Sequence, residues 1–264
     1  MSKIIAIAVP KGGVGKTTTA VNLAVGLSIA EKKTLLLDLD YSGACSIALG
    51  FTPEMIRGDI FNVFSFTKSL EQVIHKTDIP NLDFIPSILL SFENEERMNR
   101  LSKNNALLRT LLHIELITYD YIIIDCPPYL HGMTKNALLA ADSVLLPVNA
   151  SNFSLDAIKK MLNHIQWIRT IGNRNLQIEG ILLTMYESNT KVTAIVKEEL
   201  NSLYPDYLLQ TTIPKNIKIS EATFHKKPIL LYDVLSNGSQ AYLHLSQEIL
   251  SRHKNKSNPA SRNL

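Results

Sequence analysis

Cysteine is nearly missing from these 264 residues: only Cys45 and Cys126 occur. Two thiols make no disulfide framework, and their spacing excludes a Cys-based zinc or iron–sulfur site within one chain. A reduced, cytosolic setting is the expectation. Long apolar runs are missing too. None approaches the ~20 residues that span a bilayer, so no transmembrane segment is predicted. Charge is sparse, at 19% with a net of +3. The stretch from Ser251 onward holds Arg252, Lys254, Lys256 and Arg262 and no acid; subtracting these four charges leaves the body at −1. Such a body does not coat nucleic acid through bulk charge, and any DNA contact needs a local patch. Eleven Gly and eleven Pro fall far short of collagen-like or low-complexity composition. Hydrophobic residues at 45% exclude disorder and suffice for a full core.

What is present is a series of short, β-branched apolar runs: Ile4–Val9, Thr34–Leu39, Leu82–Ile85, Tyr121–Ile124, Ser143–Val148, Ile178–Thr184 and Leu208–Ile213. Most are apolar on both faces, as central parallel strands are. The first stops at Pro10 and predicts a buried strand rather than an export signal. Helical stretches lie between the runs, at Thr17–Ala30, Leu155–Ile168 behind Ser154 as a cap, Lys191–Leu203 and Ser239–Leu250. The alternation predicts an α/β fold: one domain, with a mostly parallel twisted sheet and helices on both faces. We place that domain at 1–253 and a polar, basic, mobile tail at 254–264. Phe51–Lys76 is the least regular stretch. The seven histidines form no ligand cluster in sequence; His75, His113 and His164 read as surface or packing residues.

Lys11-Gly12-Gly13-Val14-Gly15-Lys16-Thr17-Thr18 follows one predicted strand and opens one predicted helix. That is the context of a Walker A phosphate loop. Its glycines let backbone N–H groups curl around phosphate oxygens, and the helix N-terminus adds partial positive charge. Lys16 is expected on the β- and γ-phosphates, the Thr17 hydroxyl on Mg²⁺, and Thr18 on the α-phosphate. The strict pattern has Gly where this chain has Pro10. Lys11 is an extra lysine that the ordinary motif does not specify.

Leu35-Leu36-Leu37-Asp38-Leu39-Asp40 ends an apolar strand, and alternation puts Asp38 and Asp40 on one side at its carboxyl end. Ligands of open α/β sheets bind at that edge. Tyr121-Ile122-Ile123-Ile124-Asp125 ends likewise, as a Walker B strand does, with Asp125 expected to hold Mg²⁺ through a water. Asp40, the last residue before the loop, is assigned to the attacking water; Asp38 is placed behind the metal.

Taken together these residues resemble the ParA/MinD family of deviant Walker A P-loop ATPases, and within it the small chromosomal-type ParA (Soj) proteins. The resemblance runs from Ile4 to about Leu250. It includes the segments beginning at Tyr119, at Gly180 (Gly-Ile-Leu-Leu-Thr-Met-Tyr), at Ile213 (Ile-Pro-Lys-Asn-Ile-Lys-Ile-Ser-Glu-Ala) and at Lys227. It implies a single-domain P-loop NTPase fold and ATP with Mg²⁺ as cofactors. It also implies a homodimer closed face to face by ATP, with Lys11 reaching the partner's phosphates. Met185, Pro214, Lys215 and Asn216 fall where the family lines its adenine pocket. The family further implies non-specific duplex DNA binding in the ATP state, a ParB-like partner that stimulates slow hydrolysis, and a cytoplasmic, nucleoid-associated location. No membrane partner is expected.

The chain departs from the family pattern in two loops. Asp-Pro-Gln-Gly-Asn is replaced by Asp40-Tyr41-Ser42-Gly43-Ala44, beside the catalytic water. Asn189 stands where an arginine faces DNA, and Lys215 and Lys218 stand where arginines are common. DNA contact is therefore assigned to Lys191, Lys215, Lys218, Lys226 and Lys227, since non-specific binding asks for charge rather than bidentate geometry. Three other readings bear on the same motifs. A MinD-like or protein-positioning ATPase and an ATP-gated binder with weak hydrolysis remain the alternatives. A nitrogenase iron-protein-like reductase does not fit the cysteine spacing. With the phosphate loop ten residues in, no N-terminal DNA-reading domain is expected.

Overall fold

The computed structural model describes residues 2–87, 92–115, 118–150 and 154–257. Eight strands form one sheet: β1 (Lys3–Ile7), β2 (Thr34–Asp38), β3 (His75–Lys76), β4 (Leu82–Ile85), β5 (Tyr121–Asp125), β6 (Ser143–Asn149), β7 (Gln177–Tyr186) and β8 (Leu208–Pro214). Their order is β3-β4-β2-β5-β1-β6-β7-β8. Every pairing is parallel except the antiparallel β3–β4 contact at the edge. All seven predicted strands are present. The added one, β3, is two residues long and sits in the stretch that carried no period.

The helices are α1 (Lys16–Ile29), α2 (Ala44–Ala48), α3 (Ile60–Phe64), α4 (Phe92–Leu101), α5 (Leu107–Glu115), α6 (Met133–Ala140), α7 (Ser154–Ile171), α8 (Lys191–Leu203), α9 (Ile217–Phe224), α10 (Ile229–Tyr232) and α11 (Asn237–Ser257). Strand alternation explains where they pack. Ile5, Ile7, Leu36 and Ile123 face a core completed by α1 and α11 through Leu23, Leu27 and Leu245. Ile4, Ala6, Leu37 and Ile122 face the opposite core, closed by α6 and α7 through Ala137, Ile158 and Met161. Ser154, expected as a cap, is the first residue of α7, and its hydroxyl donates to the Asn149 carbonyl. Helix α11 carries on through residues 254–257, the start of the expected tail; 258–264 lie outside the described residues. Among the described residues no helix is long and apolar enough to cross a membrane.

Two details at the sheet's margins bear on its stability. The Gln210 and Thr211 amides of β8, the parallel edge strand, donate to the two oxygens of Glu248 on α11 (3.0 and 2.9 Å). At the end of the sheet opposite the phosphate loop, buried Glu179 accepts from Ser143 Oγ (2.5 Å) and lies 2.9 Å from His253 Nε2. Burial alone would push the Glu179 carboxyl up. The His253 and Ser143 contacts outweigh it and hold the group at about 2. A depressed folded-state pKa stabilises above the unfolded value, near 4.5, and that gain is lost as pH falls toward 2. The size is about 3 kcal/mol. We expect the melting temperature of the wild type to drop between pH 5 and 3 more steeply than that of Glu179→Gln. Parallel curves for the two proteins over that range would contradict the assignment.

Candidate functional site

The site forms where β1, β2 and β5 end. Register does much of the work, because Asp38 pairs directly with Asp125 across the β2–β5 ladder, and Ile7 pairs with Asp125 across β1–β5. Three strand ends thus converge beside the loop that leaves β1. That loop turns through left-handed backbone at Gly13 (φ 69°) and Gly15 (φ 83°), conformations that a Cβ would disfavour. A Cβ on Gly12 or Gly13 would meet open space, with no atom beyond the adjoining residues within 4 Å. The Thr184 hydroxyl at the end of β7 donates to the Val14 carbonyl (2.9 Å) and ties the loop to the neighbouring strand.

Lys16 is buried, and its ammonium donates to the Lys11 carbonyl (2.9 Å). Burial lowers its pKa, opposed by the charges of Asp125 and Asp40. The Thr17 hydroxyl donates to Asp125 Oδ2 (2.6 Å). Asp125 is fully buried, and its Oδ1 has no hydrogen-bond partner. Asp38 is equally buried, with Oδ1 accepting from the Asp40 amide (2.9 Å) and Oδ2 from the Cys45 amide (3.3 Å). Burial raises the pKa of both carboxyls, and the neighbouring Asp125 charge raises Asp38 further. Two buried carboxylates with an orphaned oxygen fit a divalent cation, which would offset that cost. The expected metal residues Thr17, Asp38 and Asp125 are therefore brought together.

Asp40 lies just past β2, half-buried, and its Oδ1 accepts from the Ser42 amide (3.0 Å). The Tyr41-Ser42-Gly43 departure thus closes as a tight turn on Asp40, with Gly43 in left-handed conformation opening α2. Lys11 extends sideways, its ammonium donating to Asn149 Oδ1 at the end of β6 (2.9 Å). A cavity of about 230 Å³ adjoins Gly15 and Thr18 and is lined by Met185, Pro214, Lys215 and Asn216, the residues expected around adenine. Tyr242 of α11 closes it as well. Met185 has φ 51°, uncommon for a side chain of its size.

The DNA candidates are exposed but not equivalent. Lys215 pairs with Glu187 (3.1 Å) and Lys218 with Glu221 (2.7 Å). Lys191 opens α8, and Lys226 and Lys227 follow α9. Sequence reasoning missed Asn149, Cys45, Thr184 and Tyr242. Each reaches the site through a contact more than 75 positions away along the chain or from an element whose packing is not local.

A family model described as an AAA domain matches residues 2–178. The chain is 40% identical to the sporulation initiation inhibitor protein Soj of Bacillus subtilis, over 94% of this chain and 98% of that protein. The chain belongs to the ParA/MinD family of P-loop ATPases. Another ParA relative, the chromosome partitioning protein of Myxococcus xanthus, is 37% identical over 97% of this chain and 91% of its own. The septum site-determining protein MinD of Pyrococcus horikoshii, solved with Mg-ADP, superposes with a TM-score of 0.80 at 26% identity, covering 96% of this chain and 99% of that one. The relatives thus support a partitioning-type ATPase.

Proposed function

We propose that this chain is an ATP-dependent dimerising switch that binds duplex DNA without sequence preference and serves chromosome or plasmid partition with a ParB-like partner. ATP sits on residues 12–18, with adenine in the cavity of Met185, Pro214, Lys215 and Asn216. Mg²⁺ would be held by Thr17 and Asp125 and would neutralise phosphate charge. Lys16 orients the β- and γ-phosphates, and Asp40 positions and polarises the attacking water. Asp38 holds the Asp40 amide and so fixes where that carboxylate stands. Hydrolysis is slow until the partner engages.

One observation carries the reading. Lys11 projects from the phosphate loop toward Asn149 at the next strand end, rather than into its own loop. A cation at that rim suits a second subunit's phosphates. Lys11→Ala is expected to keep ATP affinity within a few-fold and to lose the ATP-induced dimer in sedimentation analysis. A dimer as tight as the wild type's would remove the cross-subunit role.

DNA binding follows from doubling the lysine patch. Exposed pairs such as Lys215–Glu187 contribute little, so these lysines can exchange a carboxylate for a phosphate. Counterion release adds a salt slope of about 0.9 for each phosphate neutralised. The deciding experiment is binding to random duplex across a salt series with ADP and with ATP. Tight, salt-steep binding with ATP alone supports the partition reading. Absence of binding in both states would point to a protein cargo.

A further inference from the structure

We propose that the cavity between the α4–α5 loop, α6 and α7 is a binding site for a small phosphorylated ligand with a flat ring, of the mononucleotide class. Its volume is about 660 Å³. That is the size of pockets that hold small molecules, and far more than a lone phosphate fills. It shares no lining residue with the cavity beside Gly15 and Thr18. It belongs to the sheet face that α6 and α7 cover, whereas α1 completes the core on the other face. The inference therefore does not rest on the ATPase reading.

Charge of one sign is gathered there. Lys103, His131, Lys135 and His164 line the wall, and among the described residues no acid does. Gly132, also in the wall, opens α6 with φ 60° and ψ −122°, and no side chain caps that helix. The first-turn amides that a cap would serve, together with the helix dipole, favour an anion at that end. Burial holds the His164 imidazole below its usual pKa, and the Lys135 and His131 charges lower it further, against a hydrogen bond to the Leu130 backbone. Positive groups packed this closely are relieved when an anion joins them. The flat part of the ligand has its own platform. Trp167 lines the same cavity and is 44% exposed. Lys135 Nζ lies 5.4 Å from its ring centre, and the His164 ring 5.1 Å. An exposed indole stacks a flat ring, while the adjoining lysines meet its phosphate. Phosphate alone meets only the cations and a nucleoside only the ring; a mononucleotide meets both.

Trp167 puts the readout in the cavity itself, since it is the chain's only tryptophan. The full chain is titrated with 5′-AMP, inorganic phosphate, adenosine and random duplex DNA while tryptophan emission is followed. AMP is expected to give a saturable change with one site per chain, and phosphate and adenosine to bind more weakly. Lys135→Glu and Lys103→Glu should each weaken AMP about tenfold or more, the usual cost of losing a charge-assisted hydrogen bond. Lys135→Arg, which keeps the charge, should stay close to the wild type. Both lysines lie outside the phosphate loop, so AMP held at that loop would leave the response of Lys135→Glu and Lys103→Glu unchanged, and that result overturns the proposal. So does a wild-type chain whose emission AMP does not alter. A change with duplex DNA and none with AMP also overturns it, and makes the cavity a contact for the nucleic-acid backbone.

Discussion

Lys16→Ala is expected to lose ATP by two to three orders of magnitude while melting within a few degrees of the wild type. The ammonium lies buried at the loop, beside Asp125 and Asp40, and is the one side-chain cation that the loop turns inward. Charge-assisted hydrogen bonds contribute about 1.5–3 kcal/mol each. Losing two of them on the β- and γ-phosphates removes about 3 kcal/mol or more, and each 1.4 kcal/mol is tenfold in affinity. Removing the lysine also deletes a charge whose burial is costly, which is why little change in stability is expected. Equilibrium binding of a fluorescent ATP analogue checks the first part and a thermal melt the second. Affinity retained in Lys16→Ala would mean that residues 11–18 are a strand-to-helix turn and not a phosphate site.

Asp40→Ala should bind ATP and Mg²⁺ as the wild type does, yet slow single-turnover hydrolysis by about 10²–10⁴-fold, the range for a positioned acid or base. The alanine variant has a second effect, because Asp40 Oδ1 anchors the Ser42 amide and thereby its own turn. Asp40→Asn separates the two roles. Its side-chain oxygen can still accept from Ser42, but it cannot take a proton. If the carboxylate acts on water, both variants are slow. If Asn restores turnover, Asp40 is only a loop anchor, and the catalytic role lies elsewhere.

The sheet and the glycine-rich loop between β1 and α1 were legible because their signals are local. Seven apolar runs and Gly12 to Thr18 each declare themselves within ten residues. The predicted helices agree with α1, α7, α8 and α11 to within a few residues, apart from the longer C-terminal end of α11. The two-residue β3 and the five-residue α2 and α3 were not legible, because elements that short carry no period; α3 is instead set by reciprocal capping between Asp59 and Asn62. The adjacency of Asp38 and Asp125 was a matter of register, which lies in the ladder between two strands and in neither alone. The Cys45 contact with Asp125 was hidden for the same reason, since the two lie 80 positions apart. Asn149 had no motif at all and is identified only by Lys11 reaching it.

The Glu248 carboxylate at the rim of β8 has a consequence for how many copies can crowd together. An open parallel edge is a template on which another chain can add a strand. Here the Gln210 and Thr211 donors are already taken by the chain's own last helix, and the opposite rim ends in a strand of two residues. Growth by strand addition is discouraged at both ends. Copies that associate would then meet through side-chain surfaces, which can part again, instead of through backbone ladders that harden into fibres.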